Sequence, residues 1–132
     1  MSAPPPRVAL APGYTISRVI KGGWQLAGGH GPVDRAAAVA DMHAFVEAGI
    51  TTFDCADIYT GVESLIGDFV RQRGRSSDLQ IHTKYVPDRS QLGRLTRDDV
   101  RRAVARSIGR AGARSRRSAT RPRCRCRRNR RS

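Results

Sequence analysis

Gly49-Ile50-Thr51-Thr52-Phe53-Asp54-Cys55-Ala56-Asp57-Ile58-Tyr59 is the stretch from which the rest of the chain can be ordered. Ile50 to Phe53 is short and β-branched, which suits a strand ending at Asp54. An amphipathic segment precedes it. Over residues 33–48, Ala37, Val39, Ala40, Met42, Phe45 and Val46 recur at helical spacing. Asp34 sits where a carboxylate meets the free N–H groups of a first turn, and Gly49 stands just past the helix end, where a left-handed residue is wanted. A second amphipathic segment follows. Val62, Leu65, Ile66, Phe69 and Val70 define a helix over 62–73, closed by Gly74.

Working outward, Leu79 to Lys84 reads as a further strand that Pro87 prevents from continuing. Residues 96–110 form a third helix. Thr96-Arg97-Asp98-Asp99 resembles a capping box with Asp in the place of Glu or Gln, and Val100, Ala103, Val104 and Ile108 make its apolar face. Upstream, Val19 and Ile20 are the centre of an expected buried strand over 16–25. It ends at Gly22-Gly23, where the backbone approaches a neighbour closely, and residues 26–32 are a Gly-rich loop. Residues 1–15 read as an extended leader with Pro12-Gly13 as a turn. The order β-α-β-α-β-α predicts an α/β fold, a parallel sheet with helices outside. It is either part of a (β/α)8 barrel or a doubly wound sheet, and both place chemistry at the C-terminal strand ends. Trp24, Asp54 and Lys84 lie there.

The 132 residues carry a formal net charge of +14, unevenly spread. Residues 1–109 hold 14 Lys+Arg against all 11 Asp+Glu, whereas residues 110–132 hold 11 Arg and no acid. A near-neutral body therefore carries a cationic tail, so the high overall charge does not make the body a nucleic-acid binder. No apolar run is long enough for a membrane span, and Met1 to Thr15 lacks the apolar core of a secretory signal. Cys55, Cys124 and Cys126 form no disulfide framework, and Cys124-x-Cys126 is too tight for structural zinc. A reducing, cytoplasmic setting is expected, with no metal and no membrane partner.

Asp54, Tyr59 and Lys84 combine into a chemical unit if neighbouring strand ends bring them together. A phenol is a weak acid, and a nearby ammonium stabilises its phenolate. A carboxylate beside the lysine keeps that ammonium charged and aimed. Such a tyrosine can donate a proton to a carbonyl oxygen as hydride reaches the carbon. Separately, each of the three residues is equally at home on a surface or in a cap. Cys55 reads as a small buried packing residue. His82, two residues before Lys84, reads as a satisfied interior histidine, His43 as a solvated or packed helix residue, and His30 as a loop residue near the cleft mouth.

The segment Phe53-Asp54-Cys55-Ala56-Asp57-Ile58-Tyr59 after Ala48-Gly49 resembles the aldo-keto reductase signature F-D-[TS]-A-x-x-Y. Gly61-Val62-Glu63-Ser64-Leu65-Ile66-Gly67 is similar to the family's G-x-[SN]-E-x-x-[LIV]-G, with Glu63 displaced by about one residue. Ile81-His82-Thr83-Lys84 resembles its lysine-bearing strand. Gly22-Gly23-Trp24-Gln25-Leu26 with Gly29 resembles its first strand end, and Ser107-Ile108-Gly109-Arg110-Ala111-Gly112 the end of its third helix. The resemblance covers residues 16–112. It implies a (β/α)8 TIM barrel, of which about three βα units are present, and NADPH-dependent reduction of aldehydes or ketones to alcohols. It further implies Tyr59 as general acid, Lys84 as its tuner, Asp54 as support for Lys84, and Gly22, Gly23, Trp24 and Asp54 as contacts to NADP(H).

A full barrel takes about 250 residues and eight such units. No histidine follows His82, and residues 110–132 contain no Leu, Ile, Val, Phe, Tyr or Trp. The resemblance places a catalytic histidine and the cofactor's phosphate contacts in later strands. The expectation is therefore a truncated, inactive chain. Its tail, residues 113–132, reads as disordered and has the composition of GC-rich DNA translated out of frame. The alternative is a non-catalytic α/β protein whose Arg-rich tail binds nucleic acid. Three units with open sheet edges also lead us to expect self-association or aggregation.

Overall fold

Pro12 and Gly13 reverse the chain between β1 (Arg7–Ala11) and β2 (Tyr14–Ser17), an antiparallel hairpin with Val8 opposite Ile16 and Ala11 opposite Tyr14. The computed structural model describes residues 3–29, 31–74 and 76–112; the tail over 113–132, with Cys124 and Cys126, lies outside the described residues, as does His30. Proline presets the first turn residue and Gly13 takes φ 71°, a combination suited to a tight turn. Residues 7–15, read from sequence as part of a leader, are thus paired rather than merely extended. The Arg7 guanidinium ties the hairpin down, donating to Thr15 O at 2.9 Å, Thr51 Oγ1 at 2.8 Å and Gln80 Oε1 at 3.0 Å.

The expected strand over 16–25 is broken in two. Ser17 explains the break. Its Oγ donates to Val19 O at 2.7 Å and accepts from Thr52 N at 3.1 Å, while Ser17 N donates to Thr52 Oγ1 at 2.9 Å. A side chain bonded to its own backbone two residues on bends the chain. The bend reverses the expected burial: Ile16 and Ser17 are buried, whereas Val19 and Ile20 are 50% and 42% exposed.

A new strand, β3 (Ile20–Gly22), then pairs in parallel with β4 (Thr52–Asp54), which pairs in parallel with β5 (Gln80–His82). Gly22, Asp54 and His82 stand in register. α1 (Arg35–Glu47) connects β3 to β4, α2 (Val62–Arg73) connects β4 to β5, and α3 (Arg97–Arg110) follows β5. The fold is mixed α/β with a parallel sheet.

Local chemistry fixes the helix ends. Asp34 Oδ1 accepts from Ala36 N at 2.9 Å and Ala37 N at 3.1 Å. Gly49, at φ 85°, donates to Val46 O while Ile50 donates to Phe45 O, the paired bonds of a Schellman stop. Thr96 and Asp99 form the capping box reciprocally.

The core lies between sheet and helices. Ala38, Val39, Met42 and Val46 of α1 meet Phe53 of β4 and Val62, Leu65, Ile66, Phe69 and Val70 of α2. Ala38 takes the place expected of Ala37 and Ala40, which face solvent. Phe53 and Phe69 rings stand 5.4 Å apart. Burying each such side chain stabilises by roughly 1.5–3 kcal/mol. On α3 the expected apolar face is only half covered: Ala103 is buried, but Val100 and Val104 are exposed.

α3 approaches α2 at Gly67, where an added Cβ would fall 2.1 Å from Arg110 O. Gly109, also helical, has open space around that position. Gly67→Ala is therefore expected to destabilise by about 1–3 kcal/mol through overpacking. Gly109→Ala is expected to be neutral or to stabilise by up to about 1 kcal/mol through helix propensity. Urea unfolding of the two variants checks the contrast.

Candidate active site

Asp54 closes β4, and Lys84 lies two residues beyond His82 of β5, so the two side chains emerge at adjacent strand ends. Lys84 Nζ donates to Asp54 Oδ2 at 2.9 Å and to Cys55 O at 2.9 Å. The same ammonium stands 5.3 Å from the centroid of the Tyr59 ring, within cation–π range. Tyr59 is held by a turn, its N donating to Ala56 O and its O accepting from Val62 N at the start of α2. The three residues singled out from sequence therefore share one corner of the molecule.

Trp24 stands on the other side of Tyr59, ring centroids 5.3 Å apart and edge to face. It opens a short 3₁₀ turn over Trp24–Ala27 just past β3, and the residue remains 54% exposed. Gly23 places it. Gly23 N donates to Asp54 O at 2.9 Å, and a Cβ at Gly23 would lie 3.0 Å from both Asp54 O and Val62 Cγ1. The close approach expected of Gly22-Gly23 belongs to Gly23. Gly22 pairs with Asp54 in the sheet but has open space on its Cβ side.

The Asp54 hydrogen bond is the main cause that raises the Lys84 pKa above the usual lysine value, against a smaller opposing desolvation. The ammonium is thus held charged, and neither partner is deeply buried. Cys55 is different. Its thiol is fully buried, and burial above all pushes it up to about 11, with the Glu63 and Asp54 charges adding. It fills space and offers no thiolate near neutral pH.

Below this corner the same sheet face stays polar. Tyr14 Oη and His82 Nε2 are 2.6 Å apart, so His82 is the bonded interior histidine its position implied. His43 packs edge-on against Phe69. Sequence reading gave Glu63 no role beyond its motif, yet it is nearly buried, accepting from Thr83 Oγ1 at 2.7 Å and Arg110 Nη1 at 3.2 Å. Its place on the apolar stripe of α2, between Val62 and Ile66, was the available signal. Among the described residues no group of three His, Cys, Asp or Glu is arranged to hold a metal, and no helix is long and apolar enough to cross a membrane.

Parallel βα units with an Asp–Lys–Tyr cluster at their C-terminal strand ends define an α/β class with its polar site at the strand ends, the placement common to (β/α)8 barrels and doubly wound sheets. The sequence profile described as Aldo/keto reductase family matches residues 18–114, and the chain belongs to that family. A Pseudomonas aeruginosa protein described as an aldo-keto reductase superposes with TM-score 0.66 at 22% identity, covering 81% of this chain and 43% of that one. A Bombyx mori aldo-keto reductase, solved in complex with NADP, gives TM-score 0.65 at 21% identity, covering 85% and 36%. A thermostable aldo-keto reductase solved with the inhibitor epalrestat gives TM-score 0.62 at 28% identity, covering 76% and 36%. The chain thus spans about two fifths of the length of these structures or less. A search of curated protein sequences returned no match.

Asp54→Asn is expected to lower the Lys84 pKa, because it removes the first cause of its rise. A lysine pKa raised by folding stabilises the fold below the unfolded value near ~10.4, and that contribution is lost as pH rises through the folded pKa. Following the Lys84 side-chain carbon signals by NMR from pH 9 to 12 in both forms checks it; unchanged titration would remove the ion pair from the site's electrostatics.

Proposed function

We propose that Tyr59, Lys84 and Asp54 are the proton-delivering centre of an NADP(H)-dependent oxidoreductase acting on small aldehydes and ketones, or on the corresponding alcohols in reverse. One observation carries the reading: a single ammonium lies between the Asp54 carboxylate and the Tyr59 ring, at 2.9 Å and 5.3 Å. Family membership supports it.

Each residue has a task. Tyr59 gives its phenolic proton to the carbonyl oxygen, which gains negative charge as the carbon is reduced. Lys84 stabilises the phenolate left behind. Asp54 keeps Lys84 protonated and, through Gly23 on its backbone oxygen, fixes the neighbouring loop. NADP(H), when bound, supplies the hydride. The half-exposed Trp24 beside Tyr59 offers an apolar face that fits the nicotinamide end, with Gly22 leaving open space next to it and Gly23 seating the loop on Asp54. The remaining cofactor contacts and a catalytic histidine belong, on this reading, to other parts of the barrel than residues 18–112.

Fusing residues 1–112 to the following segment of an aldo-keto reductase relative tests the assignment. The chimera is expected to oxidise NADPH in the presence of benzaldehyde, with Tyr59→Phe and Lys84→Met each lowering kcat by about 100-fold or more, the scale of general acid catalysis. A folded chimera that binds NADPH but is indifferent to Tyr59→Phe would refute the role. The 11 Arg of residues 110–132 favour a second reading, nucleic-acid binding; salt-dependent DNA retention lost on deleting residues 113–132 would support it.

A further inference from the structure

A cavity of about 430 Å³ opens between α3 and the segment that follows β5, in the size range of small-molecule sites. Tyr85, Gln91, Arg94, Asp99, Arg102 and Arg106 line it; Tyr85 follows Lys84 in the chain, and neither Lys84, Tyr59 nor Asp54 is among the lining residues. Arg102 and Arg106 are one helical turn apart on one face of α3, while Arg94 reaches in from the 3₁₀ turn Arg89–Arg94.

Asp99, the carboxylate on this wall, is already engaged. Its Oδ2 accepts from Thr96 N at 2.9 Å and Thr96 Oγ1 at 2.5 Å, and its Oδ1 bonds Arg102. The side chains of Arg94 and Arg106 make no hydrogen bond or ion pair among the described residues. Two guanidiniums without carboxylate partners on one concavity present uncompensated positive charge to it, which a dianion placed there would neutralise. Guanidinium groups match phosphate oxygens in a bidentate fashion. The half-buried Tyr85 ring gives an organic body a flat surface beside them.

We propose that this cavity binds a phosphate monoester, its phosphate held by Arg94 and Arg106 and its organic part lying against Tyr85. The carbonyl chemistry proposed above uses none of the side chains that line this cavity. A phosphate monoester can be a nucleotide or a sugar phosphate, and the two are separated by experiment. Isothermal titration of the full chain with AMP, ribose 5-phosphate and inorganic phosphate is the test. At least one ester is expected to bind more tightly than inorganic phosphate: AMP alone marks a nucleotide site, both esters a sugar-phosphate site. Arg94→Ala with Arg106→Ala is expected to weaken binding at least tenfold. Arg127→Ala with Arg128→Ala, in the tail, is expected to change it less than twofold. Circular dichroism checks that both variants keep the fold; Arg94 and Arg106 are exposed and outside the core. No binding of either ester, equal affinity for inorganic phosphate, or a loss that follows the tail pair would overturn the assignment.

Discussion

The side-chain alternation of β4 is the constraint from which the molecule's two faces follow. Phe53 points into the helix layer and meets Phe69, while Thr52 and Asp54 point the other way. In register beside them, Ile81 faces the helices, and Gln80 and His82 share the polar side. A slip of one residue would push Asp54 into the apolar cluster and Phe53 onto the polar face, so burial of Phe53 fixes the register that brings Asp54 to Lys84. The core decides where the site is without contributing a side chain to it.

Stability and chemistry are correspondingly divided. The helix side holds the large apolar groups, each worth on the order of kcal/mol. The Asp54–Lys84 pair is half exposed, and surface ion pairs contribute roughly 0–1 kcal/mol. Its conformation is therefore maintained by backbone partners: Cys55 O receives the second Lys84 bond, and Gly23 N holds Asp54 O. The polar layer below is satisfied in the same way, by a hairpin whose Arg7, Tyr14 and Ser17 supply what Gln80, His82 and Thr52 need.

What could be read in the sequence was whatever local chemistry dictates. Asp34, Gly49, Thr96 and Asp99 announce helix ends through bonds to residues close in the chain, and α2 shows its stripe without interruption. The Asp54–Tyr59–Lys84 corner was legible because parallel neighbours put strand ends together. Other features depend on distant partners. The Ser17–Thr52 exchange that breaks the first strand spans 35 positions, and the Tyr14–His82 contact spans 68. Nothing near Val19 and Ile20 signals that a serine two residues upstream will turn them toward solvent. The role of Glu63 stayed hidden for the same reason: its partners Thr83 and Arg110 are assembled by packing.

Glu63 also shows how the helix layer is locked to the strand ends. A nearly buried carboxylate must be satisfied, and its two donors come from the end of β5 and the end of α3. Arg110 can reach it because the α3 backbone comes close to Gly67, one turn along α2 from Glu63. The glycine and the ion pair are thus one device. Without the glycine, α3 stands off and Glu63 loses a partner; without the arginine, a carboxylate remains buried against Thr83 alone. Tyr59 and Asp57 border the same cleft as Glu63 and Arg110, so the seating of α3 sets one wall beside the residue assigned to proton transfer.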